Sequence, residues 1–136
     1  MLADIAEEML IKQGYEVCGI AARVDEAVAL GQEHKADLAL IDFRLADGEL
    51  GTEVATRLRA TGRIGVLYAT GNDNAVELQD AEGDACLVKP YQKVDLMRSL
   101  EIITEIVATG TATPPFPRGL RLLPRAYSKP TEAING

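Results

Sequence analysis

Three polar residues close three successive apolar runs: Asp42 ends "LALID", Thr70 follows "IGVLYA" and Lys89 follows "ACLV". A carboxylate at the end of a buried run is costly to desolvate unless it reaches solvent or a partner. Any one of these residues alone reads equally well as a satisfied strand end. Together, a carboxylate, a hydroxyl and an ammonium suit phosphoryl transfer. The carboxylate attacks phosphorus, while the other two bind the oxygens of the transferring group and replace its lost solvation. The chemistry expected is formation of an aspartyl phosphate on Asp42.

The intervening segments must bring those three residues together. "MLADIAEEMLIKQG" spaces Leu2, Ile5, Ala6, Met9 and Leu10 as an amphipathic helix closed by Gly14, and no strand precedes it. A strand is expected at "YEVCGIA", residues 15–21, then a helix over "EAVALGQEHK" with Asp25 as its cap. "LALID" is the next strand, "TEVATRLRA" a helix, "IGVLYAT" a strand, residues 74–82 a short helix and "ACLVK" the last strand. "QKVDLMRSLEIITEIVA" is the longest helix, with Leu96, Leu100, Ile103 and Val107 on one face. Continuously apolar strands alternating with amphipathic helices predict an α/β fold, a doubly wound parallel sheet covered on both faces. In such sheets the ligand crevice lies beyond the carboxyl ends of the strands, which is where Asp42, Thr70 and Lys89 fall.

Composition narrows the function. Residues 1–109 hold ten Lys or Arg against twenty Asp or Glu, and residues 110–136 hold four against one, so the body carries −10 and the tail +3. An acidic body repels a phosphate backbone, so no DNA partner is expected, and protein partners are. Nor is a membrane expected: no apolar run approaches the ~20 residues that span a bilayer, and the start lacks a secretory signal. The expected location is cytoplasmic. Cys18 and Cys86 are far from each other and from His34, and read as reduced core thiols. Five of the six prolines follow Gly110, which divides the chain into a body, residues 1–109, and an extended, proline-rich basic arm, residues 110–136.

"DLALIDFRLADG", "LYATGN" and "CLVKPY", in this order and spacing, resemble the receiver domains of two-component response regulators over roughly residues 1–108. The resemblance implies a flavodoxin-like receiver fold with strand order 2-1-3-4-5. It makes Asp42 the phosphoacceptor, Thr70 the switch hydroxyl, Lys89 the ion partner of the phosphoryl group, and Lys89–Pro90 a cis bond. "YATG" is similar to the Phe-Ala-Thr-Gly signature of a subgroup of single-domain receivers. The implied partners are a histidine kinase or phosphotransfer protein and a downstream protein, contacted through residues 72–108, where Asp95, Arg98, Glu101 and Glu105 recur on one helical side and read more readily as a solvated face than as an interface. The role is that of a phosphoacceptor and not of a turnover enzyme. About 27 residues remain after the body, too few and too proline-rich for a helix-turn-helix domain, so a stand-alone receiver is expected.

Two departures qualify this resemblance. The family's first strand and its pair of acidic residues, which help to hold Mg²⁺, are absent; Asp4, Glu7 and Glu8 read as a solvated helical face. Asp42 and the backbone carbonyl of Arg44 would then supply only part of a metal site, and Mg²⁺ binding and phosphorylation of this chain should be weak or absent. The missing strand would lie between residues 15–21 and 38–42, opening unpaired edges in mid-sheet that invite another strand. Upstream residues, the segment "GLRLLP" at 119–124, or a second copy exchanging a strand or arm are the alternatives for filling that gap. The second departure is Cys86, three residues before Lys89, where many receivers carry a Tyr or Phe. Arg44 and Asn72 fall where receivers tune access to the site, and the basic arm with Arg118, Arg121, Arg125 and Lys129 has the charge to dock on an acidic body. Two rival functions remain. One is a receiver-like interaction module without phosphoryl chemistry. The other is a phosphatase of the haloacid-dehalogenase type, which needs a second Asp where this chain has Arg44.

Overall fold

A computed structural model describes residues 8, 10–15, 21, 23–43, 45, 48–62, 64–71 and 82–123. Helical turns around Leu10 lead into α1 (Val24–His34), β1 (Leu38–Asp42), α2 (Gly51–Thr61), β2 (Gly65–Thr70), β3 (Ala85–Val88), α3 (Lys93–Thr109) and β4 (Leu120–Leu122). The sheet order is β1-β2-β3-β4. The first three strands are parallel, with Leu40 opposite Leu67 and Thr70 opposite Val88. The α/β architecture expected from the alternation is therefore present. The strand and helix expected at residues 15–21 and 74–82 lie largely outside the described residues.

The side-chain alternation of β2 builds both cores at once. Val66 and Tyr68 face α1 and α2, where Val28, Val54 and Leu58 pack, whereas Leu67 faces α3, where Leu96, Leu100 and Ile103 pack. All six residues of β2 are buried, as a central strand covered on two faces requires. At the end of the sheet remote from Asp42, Arg59 pairs with Asp84 at 2.7 Å, and Asp84 also accepts the Val66 N–H at 2.8 Å. That buried bridge ties α2 to the starts of β2 and β3.

Two local readings are corrected. The helix at α1 begins at Val24, and its cap comes from 25 residues away: Glu49 accepts the Val24 N–H at 2.7 Å, while Asp25 sits in the first turn. The other correction concerns "GLRLLP", which forms a strand but does not fill the gap beside residues 38–42. β4 adds antiparallel to β3 at the opposite edge, pairing Leu122 with Ala85 and Leu120 with Leu87, and makes the sheet mixed. The long helix starts with a reciprocal cap, in which the Asp95 carboxylate accepts the Gln92 N–H at 3.3 Å.

Of the gap expected beside residues 38–42, the side toward residues 15–21 lies largely outside the described residues. Among the described residues β1 pairs with β2 alone. Along its other side runs a cleft of about 760 Å³, walled by Leu30 and Gly31 of α1 and by Leu100 and Val107 of α3. The first three residues of β1 are only half-buried beside it.

Candidate functional site at the carboxyl ends of the strands

The three chemistry-bearing residues meet at one rim because their strands are adjacent and in register. Asp42 ends β1 opposite Ala69, and Thr70 is the next residue of β2. The Phe43 N–H donates to the Ala69 carbonyl at 3.0 Å, and the Lys89 N–H donates to the Thr70 carbonyl at 2.7 Å, so the ladder continues to the tips. Lys89 Nζ lies 3.1 Å from Asp42 Oδ1. The carboxylate is 7% exposed and the lysine side chain 48%, so a nearly buried anion leans on a cation that still reaches water. A charge-assisted contact of this geometry is among the stronger polar interactions. The Thr70 side chain is buried and its hydroxyl donates to the Gly71 carbonyl at 3.3 Å. The Lys89–Pro90 peptide bond is cis.

A residue not singled out from the sequence fixes the floor. Gly51 opens α2 directly behind Asp42, donating its N–H to the Phe43 carbonyl at 2.7 Å. A Cβ there would lie 2.2 Å from the Asp42 carbonyl oxygen and 2.5 Å from Ile41 Cγ2, so only glycine permits this approach. Its signal in the sequence is faint, since "ELG" reads equally well as a turn. The loop between β1 and α2 is clipped by Leu45 N–H donating to the Glu49 carbonyl at 2.7 Å.

Other predicted positions divide. Arg44, Asn72, Asp4 and Glu7 lie outside the described residues, and Glu8 is exposed. Cys86 is fully buried beside Tyr68 and Val66, and burial pushes its thiol pKa up, as for a packing residue. On the polar side of α3, Arg98 is engaged within the chain: it pairs with Glu101 at 3.3 Å and donates to the carbonyls of Thr113 and Pro115.

A model of the response regulator receiver domain family matches residues 1–101. The chain belongs to that family. It is a receiver domain of two-component signalling, with the open α/β sheet of its relatives. It is 39% identical over 103 residues to the transcriptional regulatory protein PdtaR of Mycobacterium tuberculosis, a match covering 73% of this chain and 49% of that protein. The chain thus spans about half the length of this curated relative. Among solved structures, a CheY-like response regulator receiver protein of Methanospirillum hungatei JF-1 is 31% identical with a TM-score of 0.65, covering 75% of this chain and 84% of that one. The receiver domain of a modulated diguanylate cyclase from Desulfovibrio desulfuricans G20 is 27% identical with a TM-score of 0.64, covering 76% and 85%.

Receiver domains generally use Mg²⁺ at an acidic pocket. Here the fit is incomplete: among the described residues no group of three His, Cys, Asp or Glu side chains could hold a metal ion. Asp42 is the carboxylate at the rim, and the carbonyl of Arg44 lies outside the described residues. Among the described residues no helix is long and apolar enough to cross a membrane.

Proposed function

We propose that the chain accepts a phosphoryl group on Asp42 from a histidine kinase or phosphotransfer protein and passes the signal on by protein contacts. The observation that supports this most is the 3.1 Å contact between Lys89 Nζ and Asp42 Oδ1 at the ends of adjacent strands. In the transfer, an Asp42 oxygen forms the new bond to phosphorus while the bond to the donor's leaving group breaks. Lys89 turns its charge to the phosphoryl oxygens, and the Thr70 hydroxyl, one residue along the neighbouring strand, donates to one of them. The chain acts as a phosphoacceptor, not as a turnover enzyme, in the cytoplasm. Relatives named transcriptional regulatory proteins suit an output that ends in control of transcription.

A second reading, an interaction module that takes no phosphoryl group, is favoured by the incomplete acidic set among the described residues. Incubation with a small phosphodonor and Mg²⁺ separates the two, on this chain and on a version extended upstream. Acid-labile phosphate on the extended form that disappears in Asp42→Asn supports the phosphoacceptor. Its absence from both forms overturns that reading in favour of the module.

A further inference from the structure

The loop that follows Asp42, residues 43–50, is held at its two ends by backbone. The Phe43 N–H donates to the Ala69 carbonyl of β2 at 3.0 Å, and the Gly51 N–H closes onto the Phe43 carbonyl at 2.7 Å. Between these ends the Leu45 N–H donates to the Glu49 carbonyl at 2.7 Å, which makes Leu45 and Glu49 parts of one turn. Among the described residues, two side chains fasten that turn to the body. Leu45 packs against the core cluster that includes Val28, Val54 and Leu58, and Glu49 leaves the loop altogether and reaches α1.

At α1 the Glu49 carboxylate meets two partners. Oε1 accepts the Val24 N–H at 2.7 Å, and Oε2 lies 3.3 Å from the Arg23 guanidinium. A helix start offers N–H groups without intrahelical acceptors and the positive end of the helix dipole, so a carboxylate suits it. The usual supplier of such a cap is the residue just before the helix, yet Arg23 makes no side-chain cap here. The loop after Asp42 supplies it instead. Val24 is buried in the core, so the strap joins a surface loop to a firm anchor.

Both ends of this loop bear on Asp42. Phe43 is its neighbour in the chain, and Gly51, two residues after Glu49, backs so closely on the Asp42 carbonyl oxygen that a Cβ would lie 2.2 Å from it. A displacement of Glu49 is therefore passed to Asp42, whose Oδ1 stands 3.1 Å from Lys89 Nζ. We propose that Glu49 is a positioning residue for Asp42: its carboxylate straps the loop after β1 to the first turn of α1 and so fixes where the Asp42 carboxylate stands against Lys89. The inference rests on the phosphoacceptor reading for its purpose, while the strap itself needs no phosphoryl group.

The test is amide hydrogen exchange on the full chain, with Glu49→Ala and Glu49→Gln beside it. In Glu49→Ala the Val24 amide loses its acceptor, and the amides of Leu45 and Gly51 should exchange about ten-fold faster while Leu67 and Ala69 in β2 keep their rates. Glu49→Gln, which retains an oxygen for the Val24 N–H, should recover much of the protection. Faster exchange at Val24 alone would leave Glu49 a helix cap and nothing more, and equal acceleration at Leu67 and Ala69 would make it a general stabiliser; either overturns the inference. On a form of the chain that takes up phosphate from a small phosphodonor, the initial rate should fall about ten-fold in Glu49→Ala and recover in Glu49→Gln, and an unchanged rate in Glu49→Ala also overturns it. Absence of phosphate on every form, with the loop amides responding as expected, would instead sink only the phosphoacceptor reading.

Discussion

Gly51→Ala should be one of the most damaging single-methyl additions in this protein, and the reason can be worked from distances. The new Cβ would sit 2.2 Å from the Asp42 carbonyl oxygen and 2.5 Å from Ile41 Cγ2. Ordinary contact requires these atoms to part by about 1 Å. One neighbour is backbone at the end of a strand whose register is fixed by five pairs to β2, so relief must come from moving α2 or the tip of β1. Overpacking of this kind costs ~1–3 kcal/mol, and the ~1 kcal/mol by which alanine is favoured over glycine in a helix interior offsets little of it at the first residue of α2. A net loss of about 1–3 kcal/mol is expected, which urea denaturation reads as a midpoint lowered by roughly 0.5–1.5 M. Gly31→Ala is the control: its Cβ meets Leu58 Cδ2 at 2.7 Å, the end of a flexible side chain facing the cleft, so the helical gain is largely kept and stability should stay level or rise. A shift of ~1 Å in Asp42 would also disturb its contact with Lys89, and displacements of that size can cost ~100-fold in rate where chemistry depends on position. Equal stability of Gly51→Ala and the unsubstituted chain, or greater damage from Gly31→Ala, would refute the reasoning.

Two further outcomes follow from buried groups. Asp84→Ala leaves the Arg59 guanidinium, whose side chain is 11% exposed, and the Val66 N–H without this acceptor; a loss of ~3–5 kcal/mol is expected in chemical denaturation, and a change below 1 kcal/mol would show that the bridge contributes little. Burial raises the Tyr68 pKa above its ordinary value of 10.0 and, by the same cause, that of Cys86 above 9.0, so the folded state holds protons that the unfolded chain releases. Stability from these groups is present below those ordinary values and is lost as pH rises past about 9 for the thiol and 10 for the phenol. Tyr68→Phe, which also gives up the hydrogen bond to the Glu82 carbonyl, should start less stable yet decline less steeply above pH 10; parallel slopes would count against the assignment.

What could be read from the sequence was what depends on local pattern. "LALID" is the observed strand β1 to the residue, because four apolar residues closed by a carboxylate leave little freedom in where it ends. The rim of Asp42, Thr70 and Lys89 followed from parallel topology, which brings the carboxyl ends of successive strands together. What escaped depends on distant partners. Asp25 has the right type for a cap, but Glu49 captures the Val24 N–H because the loop after β1 folds back over α1. Arg98 looks like one more charge on a solvated face until the arm delivers the carbonyls of Thr113 and Pro115. "GLRLLP" was legible as a candidate strand, but not the edge it takes, because its pairing with β3 depends on a partner about 35 residues away. Gly51 shows its purpose only when α2 is set against Asp42.

The place of β4 in the chain has a consequence for synthesis. β1, β2 and β3 are complete once Val88 has been made, but the residue that ends the β4 ladder, Leu123, comes 35 positions later. At ~5–20 residues per second, the interval is roughly 2–7 s. In order of synthesis the outer edge of β3 precedes its partner strand, and Ile102 and Ile106 precede the leucines that cover them. Crowded polysomes are where such edges meet one another, so the last strand doubles as a guard that arrives late, and slow translation of residues 89–119 would lengthen the exposure.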